Sequence, residues 1–97
     1  MYDIIYYSQV KKDLKKLDKK LLLEIKEKHI HLLATNPYIG EKLKGKLSGA
    51  YSYHFKHAKV EYRIAYIIEE QIHIVQIYKI GKRENFYRDL ENRLDES

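Results

Sequence analysis

Residues 51–80 read YSYHFKHAKVEYRIAYIIEEQIHIVQIYKI, and this stretch decides the fold. Three segments within it, Tyr51–His57, Tyr62–Glu69 and Ile72–Ile80, are rich in tyrosine, isoleucine and valine. Such side chains suit a pleated, half-buried surface, so each segment is expected to be a strand. The links, Ala58–Glu61 and Glu70-Gln71, are short and favour antiparallel hairpins. Gly81 is expected to end the last strand.

The flanks are helical in character. Tyr2–Tyr7 reads as a short strand, and Ser8 stands where a helix N-cap belongs. Val10, Leu14 and Leu17 follow at i, i+4, i+7, an apolar stripe on one helix face, while Lys11, Lys12, Lys15, Lys16, Lys19 and Lys20 cover the others. A second helix is expected from near Asp18 to about Thr35, burying Leu22, Ile25, Leu32 and Leu33, and Asn36-Pro37 stops it. Tyr38–Gly49 is a loop rich in glycine and lysine. Phe86–Leu94, with Phe86, Leu90 and Leu94 at i, i+4, i+8, is expected to be a closing helix. The expected order is β-α-α-β-β-β-α: an α+β fold whose mainly antiparallel sheet carries an N-terminal helical hairpin. No repeat or linker divides residues 1–97, which are expected to form a single domain.

Bulk properties narrow the classes of function. Hydrophobic residues at 44% and charged residues at 34% are the balance of a globular chain rather than a disordered one. The absence of cysteine excludes disulfides, thiolate zinc sites and cysteine nucleophiles, in keeping with a reducing, cytoplasmic setting. Tyr2–Tyr7 is too short for a signal peptide and is soon followed by lysines. No stretch approaches the roughly 20 apolar residues that cross a bilayer, so no membrane is expected. Nineteen Lys and Arg against 14 Asp and Glu give a net charge of +5, which favours a polyanionic partner, nucleic acid or an acidic protein, although a solvated surface also accounts for it.

Strand alternation places Ser52, His54 and Lys56 on one sheet face and Tyr51, Tyr53, Phe55 and His57 on the other. Arg63 interrupts the apolar run of the next strand, a costly position for a guanidinium without a partner or a use. If the three strands are neighbours, Arg83 and Tyr87 return to the same cleft. That set suits metal-free RNA cleavage, in which the 2′-hydroxyl attacks the adjacent phosphate. Such a reaction needs a base, cations for the charged transition state and an acid for the leaving 5′-oxygen. His54 can act as base or acid, Arg63 and Arg83 can grip phosphate oxygens, and Tyr87 can stack on a base or donate a proton. Taken singly, each is more often an ordinary surface residue; only their convergence speaks for chemistry. Lys11, Lys12, Lys15, Lys16, Lys44, Lys46 and Lys82 are candidate RNA phosphate contacts, with a solvated outer face as the competing reading for the lysine-rich helix. No metal or cofactor is expected. His29 and His31 diverge on a helix, His54 and His57 point to opposite strand faces, and Gly45–Gly49 lacks phosphate-loop spacing.

The pattern resembles the RelE/ParE toxins of toxin–antitoxin pairs. The matching residues are Lys42-Leu43-Lys44-Gly45, then Tyr51–Lys56, Glu61-Tyr62-Arg63-Ile64-Ala65-Tyr66, and Ile80-Gly81-Lys82-Arg83 through Tyr87. The resemblance covers nearly the whole chain and implies the RelE-like fold. It also implies an endoribonuclease that cuts messenger RNA, commonly in the A site of the 30S ribosomal subunit, with Lys56, Arg63, Arg83 and Tyr87 in the working positions. His54 stands where RelE-type members carry a second lysine, Lys82 where many relatives carry histidine, and the step from Arg83 to Tyr87 is shorter than in some. An acidic antitoxin that folds around the toxin is the implied partner, met by a basic cleft and a loosely attached C-terminal helix. The alternatives are a ParE-like inhibitor of DNA gyrase without nuclease activity, and a non-catalytic nucleic-acid-binding homologue.

Overall fold

The computed structural model describes residues 1–96; Ser97 lies outside the described residues. Five strands form one sheet: β1 (Asp3–Tyr6), β2 (Glu41–Lys42), β3 (Ala50–His57), β4 (Val60–Glu69) and β5 (Ile74–Lys82). Their spatial order is β1-β5-β4-β3-β2, with β1 parallel to β5 and the other pairs antiparallel. The helices are α1 (Val10–Lys15), α2 (Lys19–Glu24), α3 (Ile30–Thr35) and α4 (Phe86–Glu96), and a π-helical turn, Ile25–His29, joins α2 to α3.

Alternation along the strands sorts the core into two layers. One face presents Phe55, Tyr62, Ile64, Tyr66, Val75, Ile77 and Ile80 to Val10, Leu21, Ile25, Ile30 and Leu33 of the first three helices. The opposite face presents Ala65 and Tyr78 to Phe86 and Leu90 of α4. Phe86 and Leu90 are fully buried, and each contributes roughly 1.5–3 kcal/mol by leaving water. The C-terminal helix is therefore firmly packed, contrary to the loose attachment expected of it.

A β-bulge ties the layers together. Ala65 pairs with Lys79 but Tyr66 pairs with Ile77, so Tyr78 is the extra residue. Its carbonyl accepts from Arg93 Nη1 at 2.9 Å, and the N–H of Ile80 donates to Asp13 Oδ2 at 3.0 Å. Backbone groups beside the irregular ladder thus find partners in α4 and α1.

Several local expectations are corrected. Gln9, not Ser8, occupies the N-cap of α1, and its side chain makes no capping bond there. Asp18 does cap α2, its Oδ1 accepting from the N–H of Leu21 at 2.8 Å. The second helical stripe is Leu21, Ile25, Ile30 and Leu33, while Leu32 is exposed. The π turn explains the shift: its wider hydrogen-bonded loop advances the phase that a uniform α-helix would keep. The same turn brings His29 inside, where Nδ1 meets Tyr53 Oη at 2.7 Å and Nε2 meets Glu24 Oε2 at 2.8 Å. The β3–β4 connection is only Ala58-Lys59, both at positive φ (49° and 69°). At the other hairpin Glu70–Ile72 forms a 3-10 turn and His73 adopts φ 59°, so β5 begins at Ile74 rather than Ile72. It also continues through Gly81 to Lys82. The expected loop before β3 contains the short edge strand β2, paired to Tyr51 and Ser52.

Candidate active site

On the α4 face, β3 and β4 set polar side chains in register: His54 lies opposite Arg63, and Lys56 opposite Glu61. Across β4, Arg63 pairs with Gly81 of β5, where a β-carbon would meet nothing within 4 Å. The floor beside Arg63 is therefore open. α4 begins at Phe86, whose burial turns the next side chain, Tyr87, over the strands.

The contacts are close. The Arg63 guanidinium lies 5.1 Å from the Tyr87 ring centroid, a cation–π arrangement. Its Nε and Nη2 donate to Glu61 Oε2 at 3.1 and 2.8 Å. That bond answers the cost of a guanidinium within an apolar strand, since residues i and i+2 share a face. His54 Nδ1 is 4.0 Å from the same carboxylate oxygen. On its other side, His54 Nε2 lies 3.1 Å from Ser52 Oγ and 3.4 Å from Tyr87 Oη. Tyr87 Oη donates to Ser52 Oγ at 3.3 Å. The hydrogen bond from Arg63 holds the Glu61 carboxyl below its usual range against burial, and the charges of Arg63, His54 and Arg83 act in the same direction.

Of the five expected catalytic positions, Tyr87 meets both His54 and Arg63, and Glu61 lies between those two. Lys56 and Arg83 are exposed at the margin, Lys56 across the ladder from Glu61 and Arg83 just beyond β5. The seven lysines expected at RNA are all exposed but lie apart. Lys11, Lys12 and Lys15 ride on α1, whose helical layer covers the other sheet face. Lys44 and Lys46 belong to the loop whose Leu43 and Leu47 pack beside α4, and Lys46 pairs with Glu91 at 3.6 Å. Lys16 and Lys82 border a cleft of about 290 Å³ that also contains Asp13, Lys79 and Asp89. Among the described residues, no group of three or more His, Cys, Asp or Glu is placed to hold a metal ion. No helix among them is long and apolar enough to cross a membrane.

Two participants escaped sequence reading. Ser52 is buried and joins His54 to Tyr87; Glu61 joins Arg63 to His54. The i, i+2 spacing of Ser52 with His54, and of Glu61 with Arg63, was the available signal.

Residues 4–91 match the family model of ParE-like toxins of type II bacterial toxin–antitoxin systems. The chain belongs to this family. As a ParE-like toxin it has the fold of solved RelE structures. It is 25% identical to a chain of the RelBE2 toxin–antitoxin complex of Mycobacterium tuberculosis, with a TM-score of 0.75, covering 84% of this chain and 98% of that one. A free mutant of the Escherichia coli toxin RelE is 21% identical at a TM-score of 0.73, covering 98% and 95% of the two chains. A chain of the intact E. coli RelBE toxin–antitoxin complex is 22% identical at 0.71, covering 87% and 99%. Among curated proteins none matches.

Proposed function

We propose that this ParE-like toxin is a metal-independent endoribonuclease that cuts messenger RNA on the ribosome and is restrained by an acidic antitoxin. The observation carrying this reading is the contact set of His54, Tyr87 and Arg63 on one open sheet face. His54 takes the proton of the 2′-hydroxyl as its oxygen bonds to phosphorus. The bond from phosphorus to the 5′-oxygen breaks, and Tyr87 protonates that oxygen. Arg63 keeps Nη1 available beyond the Glu61 bond, and with Arg83 and Lys56 it stabilises the charged phosphorane. The exposed lysines Lys11, Lys12, Lys15, Lys16, Lys44, Lys46 and Lys82 bind RNA phosphates without reading sequence. The relatives solved as toxin–antitoxin complexes support a protein partner, and the basic balance of the chain suits an acidic one. The working place of such a toxin is the cytoplasm.

The deciding experiment maps messenger RNA ends in a translation extract given wild-type protein, Arg63→Ala or Arg83→Ala. New in-frame cuts made by the wild type and lost in both variants are expected. The matched ParE-like family model keeps gyrase inhibition as the second reading; intact messages with blocked supercoiling would establish it instead.

A further inference from the structure

We propose that Ser52 is a positioning residue that joins His54 and Tyr87 into one reversible proton relay. This rests on the RNA-cleaving reading above. The Ser52 side chain is buried, with the residue only 2% exposed, yet its hydroxyl reaches both candidate proton-transfer groups at 3.1 and 3.3 Å. A hydroxyl has a single proton to give. With Oγ accepting from the Tyr87 phenol, the hydroxyl keeps its one proton to give, and the proposed relay directs it to His54 Nε2. That bond makes Nε2 the acceptor and leaves the ring proton on Nδ1, which faces the Glu61 carboxylate across 4.0 Å. Both sides of the ring therefore select the same tautomer.

The relay reverses during the reaction. The 2′-hydroxyl replaces Ser52 as donor to the single lone pair of His54 Nε2 and gives up its proton there, and Tyr87 gives its proton to the leaving 5′-oxygen. The imidazolium then donates through Nε2 to Ser52, and Ser52 passes its proton to the phenolate. One proton has moved from the 2′-oxygen to the 5′-oxygen, and His54, Ser52 and Tyr87 regain their starting protonation. Without Ser52, the 3.4 Å separation of His54 and Tyr87 is the only direct path between them.

The test reads the ring itself. Nitrogen-15 NMR of histidine-labelled protein, with His54→Gln assigning one of the five histidines, reports which nitrogen carries the proton. The Nδ1–H form is expected in the wild type, shifting towards Nε2–H in Ser52→Ala. In the cleavage assay, Ser52→Ala should lower kcat about 10- to 100-fold, the lower range of a lost proton-transfer function, with KM unchanged. An Nε2–H ring in the wild type, an unaltered tautomer in Ser52→Ala, or an unaltered kcat would each overturn the relay. A folded wild type that shows the Nδ1–H ring but cuts no RNA overturns the nuclease reading, and with it the role of the relay in cleavage.

Discussion

Arg93, in the last turn of α4, donates from Nη1 and Nη2 to the two carboxylate oxygens of Asp13 in α1, both at 2.7 Å. The pair is buried, and Asp13 also accepts from the Ile80 N–H and lies 3.9 Å from Lys79 Nζ. One carboxylate thus fastens the helical layer, the bulged strand and the C-terminal helix. Removing one member of a buried pair typically costs about 3–5 kcal/mol when the other is left uncompensated; here Lys79 and the Ile80 N–H still face Asp13 and offset part of that loss. Arg93→Ala should therefore lower the stability in urea unfolding by an amount at the lower end of that range, about 3 kcal/mol. Because α4 carries Tyr87, the variant should also lose the proposed RNA cleavage more steeply than unfolding alone explains. Unchanged stability would show that hydrophobic packing of Phe86 and Leu90 holds the helix unaided.

Arg63 offers a sharper functional probe, because its geometry depends on a planar fork. It spends Nε and Nη2 on Glu61 while stacking over Tyr87. A lysine at this position keeps the charge but neither the paired donors nor the flat face. Arg63→Lys should therefore reduce kcat about 100-fold, near the effect of losing one transition-state donor, with the fold intact. Full activity in Arg63→Lys would reduce the role of this residue to charge alone.

The legibility of the site and of the fold differed for physical reasons. Parity along β3 placed Ser52, His54 and Lys56 on one face, because its ladder with β4 runs without a bulge. The helix register did not survive so well: beyond the π turn at Ile25–His29 the inward face passes to Ile30 and Leu33, leaving Leu32 exposed. Strand ends were also obscure, since His73 enters a left-handed conformation without the glycine that would have announced it. Ser52 had only its i, i+2 spacing to His54 as a signal, because a small hydroxyl becomes informative when two partners converge on it.

The β3–β4 turn should be improvable. Ala58 and Lys59 both hold positive φ, as a two-residue hairpin of the mirror-image type demands, though neither is a residue that favours it. A side-chain-bearing residue in that region costs about 1–2 kcal/mol relative to its ordinary backbone. Lys59→Gly removes that penalty while loosening the unfolded chain, so a net gain of about 1 kcal/mol is expected. The midpoint of urea unfolding should rise accordingly. A fall would mean that the lysine side chain makes a stabilising contribution larger than its strain.

Acid should weaken the other face of the sheet through Glu24. Its carboxylate meets His29 Nε2 and His57 Nδ1, each at 2.8 Å. The hydrogen bond with His29, then that with His57, holds its pKa below the ordinary 4.5. A depressed carboxylate binds fewer protons folded than unfolded, so its contribution is fully present above the unfolded value and is lost as pH falls through the folded one. Wild type should therefore exceed Glu24→Gln in stability at neutral pH, and the two should converge as the pH drops below 4.5. A gap that stays constant down to strongly acid pH would assign the effect to packing.

Gly40 and Tyr66 make a paired prediction. A β-carbon on Gly40 would lie 2.1 Å from Tyr66 Oη and 3.2 Å from the Ser52 carbonyl oxygen. Tyr66 cannot retreat easily, for it is fully buried and its hydroxyl donates to the Pro37 carbonyl at 2.6 Å. Gly40→Ala should cost about 1–3 kcal/mol by overpacking. Tyr66→Phe removes the clashing oxygen but strands the Pro37 carbonyl, costing about 1–3 kcal/mol by itself. Combined, the two changes relieve the worst contact, so the double variant should be more stable than the sum of the single losses predicts. The relief is partial, because the ring carbon that bears the hydroxyl would still lie 3.0 Å from the new methyl. Strict additivity in the unfolding cycle would show that the chain around Gly40 moves away instead, and the cost would then belong to the β2 edge rather than to the tyrosine.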